Sequence, residues 1–127
     1  MTRRSDRGDQ TPSDRRHVAV SMGAGVRDRL KEAAGAHDWS MGDLALAFTA
    51  EHRASITTAR AGREPLRRMT RHEPTVVVGL YMTAEETAEL DDVAKACGLT
   101  RSALVETAVR LGVGEEPHVA LEPVLRS

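Results

Sequence analysis

Two short segments of the chain carry the hydrophobic pattern of β-strands. In residues 17–22, apolar and smaller or polar side chains alternate, with Val18, Val20 and Met22 forming the apolar set. This period of two places successive side chains on opposite faces of a strand. Residues 76–82 are apolar at every position except Gly79, and the run is too short for a capped buried helix. Both segments are therefore predicted to be strands.

Helical patterns follow each predicted strand. In the second half, Thr83 and Glu86 have the spacing of a capping box, which predicts a helix from about Ala84. Gly98 is suited to the left-handed position that ends this helix. Thr100 is suited to cap a second helix, and that helix is predicted to stop at Gly112 or Gly114.

The first half repeats this order in a more divergent form. Ser40 can cap its second helix, with Asp43 three residues later, and Asp38 tolerates the left-handed turn that Gly98 makes in the other half. A constant shift of 60 residues superposes the halves without a gap. The matched pairs are Met22 and Met82, Ala24 and Ala84, Leu30 and Leu90, Ala34 and Ala94, Ala36 and Ala96, and Leu44 and Leu104. The chain is predicted to be a tandem repeat.

The composition sets limits on what such a chain can be. The 127 residues are 40% hydrophobic but only 2% aromatic, so two units of about 40 residues would have thin cores and would need to interlock. A single cysteine, Cys97, excludes an intrachain disulfide. No apolar run is long enough for a membrane span or a signal peptide, so we expect a cytoplasmic, nucleoid-associated protein with no membrane partner.

The strand, capped helix, turn and second helix resemble the ribbon-helix-helix family of DNA-binding proteins. The resemblance covers Thr75 to Val113 and includes strand-final Met82, central Leu90 and the turn 98–102 that leads to Leu104 and Ala108. It implies a mainly α fold with a short two-stranded antiparallel ribbon, in which two intertwined units share a four-helix core.

The repeat offers two ways to make that shared ribbon. The two copies could pair within one chain as a single-chain pseudo-dimer, or each copy could pair with its equivalent in a second chain. Divergence between the copies favours pairing within the chain. The domain prediction is a disordered basic arm at 1–15, a first repeat at 16–55, a basic linker at 56–74, a second repeat at 75–113 and a C-terminal tail at 114–127.

The resemblance assigns base reading to the outward face of the ribbon, which in the family enters the DNA major groove. Antiparallel pairing about a pseudo-twofold axis should place Ala19 opposite Gly79. The predicted base-reading set is His17, Ala19, Ser21, Val77, Gly79 and Tyr81. Long polar side chains are scarce in this set, so an alternative is that the ribbon is structural or binds a protein.

The resemblance also assigns phosphate binding to the start of each second helix, where unpaired amides and the helix dipole coincide. The predicted phosphate-binding residues are Ser40, Met41, Thr100, Arg101 and Ser102. Charge adds a second group, because six arginines and two glutamates give residues 53–73 a net charge of +4. The predicted arm and linker contacts to DNA are Arg15, Arg16, Arg60, Arg63, Arg67, Arg68 and Arg71. A linker that is merely soluble is the alternative.

Two further surfaces could bind a protein or a second copy of the chain. Leu46 stands in the first repeat where the second has Glu106, which suggests an apolar outer face able to receive the linker, through Leu66 and Met69, or another chain. The acidic tail has Pro117 and Pro123, which argue against helix, and it could bind as an extended strip.

Catalysis finds little support in the sequence. Its five histidines show no metal-ligand spacing and the cysteine has no evident partner, so we expect neither an enzyme nor a cofactor. The favoured function is sequence-specific binding of double-stranded DNA, as a transcriptional repressor or autoregulator. The alternatives are a protein-binding adaptor or antitoxin-like protein, and a plasmid partition protein that binds a centromere repeat.

Overall fold

A computed structural model describes residues 15–126 as a mainly helical fold with one two-stranded antiparallel sheet. In chain order the elements are β1 (Arg15–Gly23), α1 (Ala24–Ala36), α2 (Met41–Arg60), β2 (Thr75–Thr83), α3 (Ala84–Cys97), α4 (Arg101–Gly112), α5 (Pro117–Ala120) and α6 (Glu122–Leu125). The order strand, helix, helix thus occurs twice. Across residues 15–126, no helix combines the length and apolar character that crossing a bilayer requires.

The sheet, called the ribbon below, consists of β1 and β2 of the same chain. The two strands pair over nine residues each, from Arg15 opposite Thr83 to Gly23 opposite Thr75. Ala19 lies opposite Gly79 at the centre, which confirms the register predicted from the repeat. The described part of the basic arm is therefore only Arg15, which belongs to β1. The rest of that predicted arm lies outside the described residues.

One face of the ribbon covers the helices. The side chains on that face are apolar and buried, as the alternating pattern predicted: Val18, Val20, Met22, Val78, Leu80 and Met82. The two long helices α2 and α4 pack against each other beneath the ribbon, and α1 and α3 complete the core. The opposite face of the ribbon is left uncovered by the helices.

The predicted helix ends are confirmed by their hydrogen bonds. Thr83 and Glu86 form the capping box of α3, with the Glu86 amide donating to Thr83 Oγ1 over 3.1 Å and the Thr83 amide to Glu86 Oε1 over 2.8 Å. Gly98 ends α3 with a φ of 68°, and Asp38 adopts a similar φ of 57° after α1. Ser40 and Thr100 cap α2 and α4 through their side-chain oxygens.

Helix α2 is longer than the sequence pattern indicated. It continues through residues 56–60, which were assigned to the linker, and ends at Arg60. Ile56 lies on the buried side of this extension and is part of the core. The basic connection between the halves is therefore limited to residues 61–74.

The C-terminal tail corrects a second prediction. Instead of an extended strip it forms two single helical turns, α5 and α6, each with proline at its first or second position. Proline is compatible with these positions because their amides have no acceptor within the helix. Ala120 and Val124 are buried, so the tail packs on its own chain.

Candidate nucleic-acid interface

The outward face of the ribbon brings together all six residues predicted to read bases. Val77 is 70% exposed and Tyr81 is 55% exposed, and both are large apolar side chains on this face. His17, Ala19 and Gly79 are exposed as well. Ser21 is half-buried at the edge of the ribbon, where its amide donates to Ser102 Oγ over 2.8 Å. The face is thus narrow, contiguous and largely uncharged.

An aromatic pair occupies one end of this face. The His17 and Tyr81 rings have centroids 4.0 Å apart and are tilted by 42°. The His17 ring also lies across Gly79, where an added Cβ would meet its Nδ1 at 3.3 Å. Glycine at this position therefore allows the histidine ring to lie close to the ribbon. Imidazole nitrogens and a phenol oxygen can donate and accept hydrogen bonds, so this end carries the polar atoms of the face.

The starts of α2 and α4 flank the ribbon on opposite edges. Gly42 packs so closely on β2 that a Cβ there would lie 2.6 Å from the Tyr81 carbonyl oxygen. On the other edge, Ser102 of α4 accepts the Ser21 amide. Amides in the first turn of a helix lack intrahelical acceptors and attract anions. Each end of the ribbon therefore has a helix N-terminus beside it. The α2 start, with Ser40 and Met41, lies near Tyr81, and the α4 start, at residues 100–102, lies near Ser21.

Arg101 has an acidic partner at the start of α4. Its Nε and Nη2 each donate to a carboxylate oxygen of Asp91 over 2.8 Å. These hydrogen bonds are the main reason that the pKa of Asp91 lies below its ordinary value, and they raise the pKa of Arg101. The pair is largely exposed, so Arg101 is compensated in charge but remains accessible.

The connection between the halves lies across the start of α4. The Leu66 amide donates to the Gly98 carbonyl over 2.8 Å, and Leu66 and Met69 pack against the core. Arg67 and Arg68 are exposed and line a shallow groove together with Thr100 and Ser102. The linker thus adds two cations beside one of the two helix N-termini.

Two of the predicted DNA-contacting arginines have internal roles. Arg60 is only 3% exposed and donates to the carbonyls of Cys97, Glu64, Gly98 and Val124 over 2.6–3.3 Å. Burial lowers its pKa. Arg71 is mostly buried against the Glu106 carboxylate. The Arg60 guanidinium is not available to a ligand, so its assignment is wrong. The charge of Arg71 is paired with Glu106, and its contact with DNA stays a prediction.

The remaining predicted arginines stay at the surface. Arg63 is exposed and donates to the Leu125 carbonyl over 2.8 Å, which ties the linker to the tail. Arg16 is exposed at the start of β1, and Arg15 is half-buried beside it. Together with Arg67 and Arg68, these residues supply the positive charge near the ribbon.

Two glutamates have structural roles that the sequence did not reveal. Glu106 is 1% exposed and accepts the Gly23 amide over 3.1 Å as well as the guanidinium of Arg71. Glu73 accepts the Gly25 amide over 2.7 Å and so supports the start of α1. The available signal was Gly23 itself, since a helix that begins without a capping side chain needs an acceptor from elsewhere.

The apolar outer face predicted around Leu46 does not receive the linker, which lies on α4 instead. Leu46, Leu90 and Val93 line an open groove of about 280 Å³ between α2 and α3. Glu86, Glu89 and Arg53 form its charged margins. The predicted protein partner at this face stays a prediction.

Neither a known family nor a metal site can be assigned to the described part of the chain. No protein-family model, curated protein or solved structure matches the chain. Within residues 15–126, no group of three histidine, cysteine or carboxylate side chains is placed to hold a metal ion.

Proposed function

We propose that this chain is a sequence-specific double-stranded DNA-binding protein in which two ribbon-helix-helix repeats form a single-chain pseudo-dimer. Its proposed role is that of a transcriptional repressor or autoregulator. The observation that carries the proposal is the antiparallel pairing of β1 with β2 in the register that leaves five ribbon residues exposed and Ser21 half-buried between two helix N-termini.

The shape of the ribbon supports this assignment. A two-stranded ribbon fits the major groove of B-DNA, which is about 12 Å wide. The exposed Ala19 and Gly79 at its centre have small side chains, so the backbone of the ribbon can approach the floor of the groove. Val77 and Tyr81 are large exposed side chains on the same face and are the proposed contacts to base edges.

The flanking groups supply contacts to the phosphates. The first-turn amides of α2 and α4 lie on either side of the ribbon, and each set is proposed to bind one DNA strand beside the groove. Arg67 and Arg68 add positive charge near the α4 start. The net charge of the whole chain is −1, so attraction to DNA depends on these local groups and not on the overall field.

Titration of the full chain with a labelled duplex from its own upstream region tests the proposal. Fluorescence anisotropy at a series of salt concentrations should show affinity for this duplex well above that for a scrambled duplex of equal length. Each phosphate contact contributes about −0.9 to the slope of log K against log salt. The double variant Arg67→Ala, Arg68→Ala should therefore flatten the slope by up to about 2, whereas the double variant Lys31→Ala, Lys95→Ala should not.

A protein-binding adaptor is the second candidate, and the open groove at Leu46 favours it. Three apolar side chains line this groove although the corresponding surface of the other half is covered. Absence of salt-dependent duplex binding, with the fold intact, would reject the DNA-binding proposal and leave the adaptor.

A further inference from the structure

We propose that the DNA target is asymmetric, with two different half-sites that fix a single orientation of the chain. This inference rests on the proposed function, because it concerns what the ribbon reads. A ribbon formed by two identical strands presents the same residues to both half-sites. In this chain the two strands have different sequences, so the two ends of the ribbon are chemically different.

The register defines which residues lie at each end. Ala19 and Gly79 face each other at the centre, so a pseudo-twofold axis between them relates His17 to Val77 and Ser21 to Tyr81. The cross-strand neighbours are His17 with Tyr81 and Ser21 with Val77. One end therefore carries an aromatic pair, and the other carries a valine beside a half-buried serine.

The aromatic end can make directional hydrogen bonds. The contact between the His17 and Tyr81 rings, and the close approach of His17 to Gly79, restrict both side chains before DNA is bound. The polar atoms of imidazole and phenol can then address the N7 and O6 acceptors or amino donors of a base pair in the major groove. This end selects a base-pair edge by its hydrogen-bonding groups.

The valine end is suited to a different base-pair edge in the major groove. Val77 is 70% exposed, and its branched side chain has no hydrogen-bonding atoms. The thymine C5-methyl group is the apolar feature of the major groove. The hydroxyl-bearing Ser21 is less accessible than Val77, since it lies beside Ser102 of α4. This end therefore selects thymine by contact between methyl groups.

The groups proposed to bind phosphate also differ between the two ends of the ribbon. At the aromatic end the ribbon is flanked by the start of α2, which begins with Met41 and Gly42. At the valine end it is flanked by the start of α4, with Arg101, Arg67 and Arg68 close by.

Arg15 and Arg16 lie at the aromatic end, since they pair with Thr83 and Met82. Both ends therefore carry cations, but these come from the start of β1 at the aromatic end and from the linker and α4 at the valine end. This difference gives the complex a direction along the duplex.

Selection of bound duplexes from a randomised library, with the full chain as the bait, tests this inference. A non-palindromic consensus with a thymine in one half-site is expected. A palindromic consensus would overturn the asymmetry while leaving DNA binding in place. No enrichment of any sequence would overturn the proposed function itself, so the two failures can be told apart.

A variant with matched ribbon ends provides the sharper test. The double substitution His17→Val, Tyr81→Ser gives both ends a valine and a serine and changes only exposed side chains. Its consensus should become more nearly palindromic, with thymine gained in the other half-site, and retention of the original asymmetric consensus would contradict the inference. Circular dichroism checks that this variant folds.

Base analogues change the DNA and leave the protein unaltered, and one exposed-residue variant serves as the control. Replacing the thymine of the valine half-site by uracil removes one methyl contact and should weaken binding about fourfold, and Val77→Ala should abolish this difference. The same replacement in the aromatic half-site should have no effect. Equal losses in both half-sites would overturn the inference.

Discussion

Helices α2 and α4 hold equivalent places in the two halves, yet their surroundings are very different. In α4 the seven residues from Ala103 to Val109 are all buried, whereas α2 has half-buried or exposed residues from Leu46 through Phe48 and again at Ala50 and Glu51. The linker and the tail both pack over α4, and neither covers the groove at Leu46. A repeated sequence pattern has thus produced one enclosed helix and one open helix.

The two halves also differ in the side chains that accept hydrogen bonds from the backbone amides at the strand ends. In the second half, the Thr83 amide is bound by Glu86 of its own capping box. The first half has Gly23 and Val26 at these positions, and its acceptor comes from α4, where Glu106 replaces Leu46 of α2. A carboxylate missing from one helix is therefore supplied by another. The two strand ends thus have a carboxylate acceptor from different elements, α3 for Thr83 and α4 for Gly23.

Exchanging the residue types at Glu106 of α4 and Leu46 of α2 should have the largest effect on stability. Glu106→Leu leaves the Gly23 amide and the guanidinium of Arg71 without their acceptor in a buried place, and should lower the free energy of unfolding by about 3 kcal/mol. Leu46→Glu, at the equivalent but half-exposed position of α2, should cost less than about 1 kcal/mol. Urea unfolding of the two variants measures the difference. Equal losses would show that the two helices are not differently enclosed.

Substitution of Arg60 tests whether this one buried side chain fixes the linker and the tail to α3. Arg60→Ala removes four hydrogen bonds to carbonyls of three segments and should reduce stability by about 2–3 kcal/mol. Arg63→Ala, three residues along and exposed, should change it by no more than about 0.5 kcal/mol. Thermal unfolding followed by circular dichroism compares them. Similar midpoints for both variants would contradict the internal role of Arg60.

Loss of the ion pair between Asp91 and Arg101 should have the smallest effect on stability. The pair lies at the start of α4, whereas α2 begins with the uncharged Met41. Because the pKa of Asp91 is lowered in the fold, its pairing stabilises the protein above the ordinary pKa of about 3.9 and is lost as pH falls through the folded value. The pair is exposed, so Asp91→Asn should cost at most about 0.5 kcal/mol.

The same substitution should strengthen DNA binding. Without its carboxylate partner, Arg101 can turn to a phosphate, so the affinity and the salt slope should both rise in anisotropy titrations. Asp92→Asn, on the neighbouring residue, removes the same charge and is the control. An equal gain in both variants would mean that Arg101 has no special position.

Features set by a repeating pattern could be predicted from sequence, whereas single side-chain contacts between distant segments could not. The alternation of Val18, Val20 and Met22 and the 60-residue shift gave the register of the ribbon once the family resemblance had supplied antiparallel pairing of the two strands. The cap at Thr83 depends on residues three apart and was also predicted correctly. The outward-facing set of six ribbon residues followed from that register, with Ser21 half-buried and the other five exposed.

The errors arose where a side chain is used by a remote segment. Arg60 resembled a linker cation because the carbonyls that bind it belong to α3, the linker and the tail. Glu106 resembled a surface residue because Arg71 and Gly23, which meet it, lie 35 and 83 residues away in sequence. The prolines of the tail indicated extended chain, although each could begin a helical turn.

The most direct measurement is duplex affinity for a pair of variants that add the same charge at different places. Ala19→Asp puts a carboxylate at the exposed centre of the ribbon, and Ala96→Asp puts one at an exposed position of α3. With both variants folded, the first should lose specific binding by at least about 100-fold, since an unpaired charge would enter the groove, while the second should bind almost as the parent chain does. Equal affinity of the two variants would contradict the assignment of the ribbon as the DNA-reading surface.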